Sequence, residues 1–259
     1  MTKKDIYSKY GIEYKAGKIF HHEFGWIAPL LVDGNTKLGH GVWTFSTLPT
    51  NRIYHVTING KEYEIIGTCP CHCDGCYATK GNYNFSNVII ALAIRTWLCY
   101  NDMPFVCNAI MAQIEAENIK LFRIHASGDF FSEEYINMWK YIISNNAACV
   151  FWTYTKNAKA ESAFDNFSNA NIVKSIISGF GFNFGHCDYI LRVYKALKEM
   201  GKSVYICRCG IDKNQHCTDC KGCSEHEIVL FVEHSTAYKA EEDPCYDELK
   251  RVIESQRKA

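Results

Sequence analysis

Between Gly67 and Gly81 the chain reads GTCPCHCDGCYATKG, which places Cys69, Cys71, Cys73 and Cys76 within eight residues. Thiols at that density are metal ligands. Cys69, Cys73 and Cys76 form C-x3-C-x2-C, a spacing that lets three thiolates from one loop cap three irons of a cubane cluster and leave the fourth iron open. An open iron can chelate a substrate, whereas a structural metal usually takes four protein ligands. The extra thiol of Cys71 leaves a second assignment open, in which all four cysteines close around one tetrahedral zinc. A second group lies in CRCGIDKNQHCTDCKGC, from Cys207 to Cys223. Cys217, Cys220 and Cys223 form C-x2-C-x2-C, the start of a ferredoxin run, but Glu227 stands where that run would place its fourth cysteine. The fourth ligand is therefore expected from Cys207, or from Cys209, with His216 a weaker donor. An auxiliary [4Fe-4S] cluster on Cys207, Cys217, Cys220 and Cys223 is the first reading. A zinc knuckle using Cys207, Cys209 and two of the later three is the alternative.

The elements that must carry these loops can be drawn from the hydrophobic pattern. The chain has 259 residues, 47% hydrophobic and 22% charged, enough to bury one large core. The first sixty residues are rich in aromatic, β-branched and turn residues, with a hairpin signal at Asn59-Gly60, and read as a β-rich N-terminal extension over 1–61. Beyond it, strand-like runs at 62–68, 121–127, 149–155, 171–177, 203–207 and 228–233 alternate with helical patterns. One of these, CDYILRVYKALKEMG, has Gly201 as its stop. That alternation predicts an α/β fold, a partial (β/α)6 TIM-like barrel over 62–259, with the thiol loop after its first strand and the segment 207–223 as a cysteine-rich insertion. Chemistry in such folds sits at the C-terminal ends of the strands.

Formal net charge is zero, so nothing argues for binding a phosphate backbone. No apolar run reaches the length of a signal peptide or a membrane span, and of the 14 cysteines nine fall in the two tight groups. A cytoplasmic protein with reduced, metal-binding thiols is expected. Cys99, Cys107, Cys149, Cys187 and Cys245 stand in apolar patterns and read as buried, inert thiols.

The C-x3-C-x2-C loop after a strand resembles the cluster motif of the radical S-adenosylmethionine superfamily. A closer likeness is to the phage gene-product-88 family, through Lys37-Leu38-Gly39, Cys69-Pro70, Cys76-Tyr77-Ala78, Arg123 to Phe130, and Tyr154-Thr155-Lys156. The resemblance covers residues 37 to 234. It implies that a reduced [4Fe-4S] cluster on Cys69, Cys73 and Cys76 cleaves S-adenosylmethionine to a 5′-deoxyadenosyl radical. Ser127, Gly128 and Asp129 would hold the methionine moiety, Tyr77, Tyr154, Thr155 and Lys156 would bind the cofactor, the last three at a strand end where ribose or carboxylate contacts lie but where polar residues also serve as caps, and Asp129 and His125 would be catalytic. Gly75 stands where radical enzymes place an aromatic residue near the adenine, and Tyr77 follows instead. An external one-electron donor of flavodoxin or ferredoxin type and a small-molecule or peptide substrate are the implied partners. From the residues alone, Arg123 and His125 alternate on one strand and are expected to face the same interior, although His125 reads equally well as a core histidine. A non-radical iron–sulfur redox protein and a zinc-stabilised binding module are the other classes that fit.

Overall fold

The computed structural model describes residues 1–34, 38–70, 76–174, 184–212, 215–220, 222–232 and 239–256. Helix α1 (Lys3–Lys9) opens with a capping box in which Thr2 Oγ1 accepts from the Asp5 amide and the Asp5 carboxylate accepts from the Thr2 amide. Strands β1 (Tyr14–Lys15), β2 (Lys18–His21) and β3 (Gly25–Ile27) form a small antiparallel sheet. Strand β4 (Val32–Asp33) pairs antiparallel with β5 (Val42–Phe45). A hairpin of β6 (Ile53–Ile58) and β7 (Lys61–Ile66) follows. Its turn residues Asn59 and Gly60 have φ of 52° and 80°, the left-handed pair that an Asn-Gly turn is chosen to supply.

From there helices and strands alternate. Helices α2 (Ser86–Asn101) and α3 (Met103–Ala116) lead to β8 (Leu121–Ile124); α4 (Glu133–Ser144) leads to β9 (Val150–Thr155), and α5 (Ala158–Glu161) to β10 (Ala170–Lys174). Strands β5, β8, β9 and β10 lie side by side and parallel, with β4 at the edge. After β11 (Phe184–Gly185) come α6 (Cys187–Glu199), β12 (Val204–Cys207), α7 (Gly222–Glu225), β13 (Ile228–Val232) and α8 (Tyr246–Ser255). Strand β13 pairs in parallel with both β11 and β12. Helix α6 stops where expected, with Gly201 at φ 72° just beyond it.

One expected strand belongs elsewhere. The run 62–68 was expected to open the parallel sheet, but Lys61–Ile66 is half of the antiparallel hairpin and Val42–Phe45 pairs with β8 in its place. Burial explains the exchange: only Ile65 of β7 is buried, whereas β5 buries Val42, Thr44 and Phe45, as a strand covered on both faces must. The parallel sheet therefore starts inside the segment expected to be an extension, and a boundary at residue 61 falls within the hairpin, at the first residue of β7.

Side-chain alternation sorts the two sheets into faces. Phe45, Phe122, Ile124, Phe151 and Ile172 pack on α2, α3 and α4 in the main core. In the second sheet Val204, Ile206, Ile228, Leu230 and Val232 pack on α6 and α8. The opposite faces meet a common neighbour. Val42, Leu121, Trp152 and Tyr154 of the first sheet lie against Cys217 and Cys223. Val173, Tyr205, Cys207 and Val229 cluster with Tyr154, Cys209, Cys220 and Cys223. The cysteine-rich segment thus fills the inner side of both sheets while helices cover the outer sides. Among the described residues the strand pairings form four sheets, two of them holding the parallel strands, and no closed ring.

Candidate metal centres at the ends of the parallel strands

The first thiol loop is anchored by its entry. After the hairpin, Gly67, Thr68 and Cys69 run beside Leu48 to Arg52, with the Thr68 amide donating to Leu48 O at 3.0 Å and the Cys69 amide to Thr50 O at 3.0 Å. A Cβ at Gly67 would lie 2.2 Å from Pro49 O, so only glycine permits this approach. The Thr68 hydroxyl lies 2.7 Å from Thr47 Oγ1 and accepts from the Asp129 amide at 3.1 Å. This ties the loop entry to the C-terminal end of β8. Gly128, at φ 83°, crosses so close that a Cβ would meet Thr47 Oγ1 at 1.9 Å. Ser127 Oγ donates to Thr47 O at 2.8 Å.

Asp129 is the node of this network. Its Oδ1 accepts from the Phe130 amide at 2.7 Å and from Thr155 Oγ1 at 2.6 Å, and its Oδ2 accepts from the Lys156 amide at 2.9 Å. The carboxyl group is buried, and burial raises its pKa against the lowering effect of those donors. Cys69, Ser127, Gly128, Asp129, Thr155 and Lys156 are thus brought to one end of β5, β8 and β9. Cys71, Cys73 and Gly75 lie outside the described residues, as does Lys37; Cys76 is described, and its carbonyl accepts from the Thr79 hydroxyl at 2.8 Å. Nothing is described of the Tyr77 side chain, while its backbone opens a short 3-10 turn.

Of its two readings, interior site residue beside Arg123 or core histidine, His125 takes the second. Its φ of 62° breaks the strand alternation, and the ring turns to the helix side, against Phe130, Tyr135 and Trp139. Nε2 lies 2.8 Å from the Tyr135 hydroxyl, and burial, with Arg123 adding to it, lowers the pKa to about 3. It is a neutral core histidine. Arg123 faces the other way, its guanidinium 4.9 Å from the centre of the Tyr154 ring, where it acts on Cys217 and Cys223.

The second thiol group is built by five described residues. Cys207 ends β12; Cys209 and Cys217 sit in single turns, Cys220 is extended, and Cys223 lies in α7. The thiols of Cys207 and Cys217 both hydrogen bond with Cys209, and these bonds are the first cause holding both pKa values far up. Burial pushes Cys223 up to about 11, opposed by the Tyr154 hydroxyl, which donates to its sulfur at 2.6 Å. Burial also raises the Tyr154 pKa, so the hydroxyl keeps its proton as a donor. Tyr205 Oη lies 3.4 Å from Cys220 Sγ. Asn171 Nδ2 donates to Cys223 O at 2.8 Å and to His226 O at 2.9 Å, fastening the segment to β10. His216 packs its Cβ against Gly39, where an added Cβ would lie at 3.1 Å. Tyr154 therefore serves the second thiol group, and Thr155, one residue on and on the other face, serves Asp129.

One further group of donors escaped the pattern. His21, His22 and Asp102 place their ligand atoms within 4.8 Å of one another. The His21 ring is already committed, however. The Glu23 amide donates to Nδ1 at 3.2 Å, so in the neutral ring the proton is on Nε2, which meets Asp102 Oδ2 at 3.3 Å. Burial lowers the His21 pKa, and Asp102 Oδ1 caps α3 through the Phe105 amide at 3.1 Å. His21 offers no lone pair to a cation and fastens β2 to α3.

No helix among the described residues is long and apolar enough to cross a membrane. No solved structure matches the chain. The Gene 88 protein of Mycobacterium phage L5 is 51% identical over 91 residues, a match that covers 31% of this chain and 38% of that protein. The family model described as Gene product 88 matches residues 29–226, a span that holds both thiol groups and the Asp129 network. The chain belongs to the Gene product 88 family.

Proposed function

We propose that this protein is an iron–sulfur enzyme of radical S-adenosylmethionine type, with a first cluster on Cys69, Cys73 and Cys76 and an auxiliary cluster on the 207–223 segment. The two sheets are read as the halves of a partial six-stranded β/α barrel around that segment. The observation that carries the proposal is the meeting of the Cys69 loop entry with Asp129 at the C-terminal ends of three parallel strands. Chemistry gathers at that end of such a sheet. When bound, a cluster with an open iron supplies one electron to the sulfonium of S-adenosylmethionine.

The residues contribute position and charge. Among the described residues Asp129 Oδ2 accepts from the Lys156 amide, and a carboxylate oxygen has a second acceptor position that an ammonium group could take. Thr155 and the Phe130 amide hold that carboxylate in place and Thr68 holds the Asp129 amide, which keeps the orientation cost out of binding. At the second group, the Tyr154 hydroxyl and the Arg123 guanidinium suit thiolates in a metal centre, because hydrogen bonds and positive charge stabilise sulfur charge.

The test is iron, sulfide and zinc content of protein purified without oxygen, followed by electron paramagnetic resonance of the reduced sample with and without S-adenosylmethionine. A spectrum that changes on addition, with 5′-deoxyadenosine formed, supports the proposal. Iron without that response leaves a non-radical redox protein; zinc without sulfide leaves a structural metal and removes the radical reading.

A further inference from the structure

We propose that the outer face of the N-terminal sheet, with the side of α1 that borders it, binds a single strand of nucleic acid. The proposal stands apart from the thiol centres and rests on which side chains the strand register places together. Tyr14 pairs with Ile19 and Lys15 with Lys18 between β1 and β2, while Phe20 pairs with Trp26 between β2 and β3. Alternation then sorts the sheet into two faces. Ile19, His21 and Ile27 are buried on one face, and Lys15, Lys18, Phe20 and Trp26 are exposed together on the other. The two rings lie edge to face with centroids 5.4 Å apart, and Trp26 is still 41% exposed, so ring surface is left open to a ligand. A cross-strand aromatic pair steadies a small sheet, but Lys15 and Lys18 work against it, because like charges directly opposed across two strands repel. A phosphate between them would turn that repulsion into attraction.

The charges of α1 divide in the same sense. Lys3 and Lys9 are paired with Glu117 and Glu115, whereas Lys4, Lys15 and Lys18 make no ion pair among the described residues. Lys4, Ser8, Glu13 and Lys15 line one open concavity with Trp26, so ammonium groups border the indole. Glu13 is the one carboxylate in that lining, against two lysines there and Lys18 beside them. The zero net charge of the whole chain therefore conceals a local excess: residues 1–20 hold five lysines and two acidic residues. Exposed rings among unpaired lysines suit a strand whose bases stack while its phosphates meet the ammonium groups. A duplex keeps the faces of its bases covered, so the rings select a single strand. Neither contact needs the 2′-hydroxyl, and DNA and RNA strands fit alike.

The test is fluorescence anisotropy of labelled oligothymidylate and oligouridylate with the full chain. Both are expected to bind, each more tightly than a duplex of the same length, with a log–log salt slope of about −2 for three phosphate contacts. Trp26→Ala should weaken both about tenfold. Replacing Lys15 and Lys18 together by Gln should flatten the slope to about −0.7. Trp26→Phe is expected to keep most of the affinity but to lose the quenching of tryptophan fluorescence on binding, a change that a merely structural Trp26 would not produce. Lys3→Gln and Lys9→Gln should bind as wild type does. Absence of binding, equal affinity for the duplex, full affinity in Trp26→Ala, or equal losses in Lys3→Gln and Lys15→Gln overturns the proposal. So does displacement of the oligonucleotide by polyglutamate of matched charge, which would make the partner an acidic protein.

Discussion

The two thiol regions face opposite problems with their polar groups. Around Asp129 and the entry to the Cys69 loop, hydroxyls, amides and a carboxylate satisfy one another: Thr47 meets Thr68, Thr68 meets Asp129, and Asp129 meets Thr155 and Lys156. In the 207–223 segment the donors point at sulfur, from Tyr154 to Cys223 and from Arg123 toward Cys217 and Cys223. A closed polar network holds a shape, while donors aimed at thiols hold a charge. The first region is therefore a frame for a loop, and the second gathers the donors that a metal-bound thiolate would need.

That contrast can be broken by substitution, most severely at Gly128. Gly128→Ala places a methyl 1.9 Å from Thr47 Oγ1 at a left-handed φ, and should cost about 3 kcal/mol or more in urea denaturation. Only a frame that cannot shift gives that result; a loss under about 1 kcal/mol would mean that the network is soft. Asp129→Asn replaces an oxygen that accepts the Lys156 amide with a donor or forces the same clash at Oδ1. It should cost about 2 to 3 kcal/mol, read as a lowered melting temperature.

The pH dependence separates two buried groups in the same region. The folded pKa of His125 is lowered to about 3, so the unfolded chain binds its proton first; stability should fall as pH drops from about 6.5 toward 3. His125→Phe should remove that part of the acid limb. Asp129 has the opposite sign. Its raised folded pKa means that the folded state keeps the proton longer, so its contribution declines as pH rises from 3.8 through the folded value, and Asp129→Asn should abolish that decline. Both are read from denaturant midpoints measured across pH.

The smallest effects are expected at the thiol centre, where they appear in the metal before they appear in stability. Tyr154→Phe removes the 2.6 Å bond to Cys223 and should lower the midpoint potential of the bound cluster in a redox titration, with a stability loss of about 1 kcal/mol. Tyr205→Phe removes the longer contact, 3.4 Å to Cys220, and should move the potential less than Tyr154→Phe does.

Several parts of this architecture could be read before folding was considered, and the residues show why. Asn59-Gly60 marks a turn because few residues tolerate positive φ, and Gly201 ends α6 for the same reason. The runs at 121, 149, 171, 203 and 228 became strands because their apolar density is high enough for burial on both faces. The run at 62 has a similar composition but alternates charges along Lys61-Glu62-Tyr63-Glu64, which suits a hairpin with one wet face. Alternation left His125 open between the interior shared with Arg123 and the core, because it assumes that the strand continues; a single positive φ turns the side chain to the core.

The sequence by itself determined that cysteines gather in two places, that parallel strands alternate with helices, and that turns fall at particular glycines. These follow from spacing, local propensity and hydrophobic period, which act over a few residues. The tertiary structure decided which sulfurs meet, that Tyr154 and Thr155 serve different regions, and that Val42–Phe45 joins β8. Each of those depends on contacts between segments distant along the chain, where the close approach of Gly128 to Thr47 or Gly222 to Tyr205 selects one arrangement, and no local spacing encodes that choice.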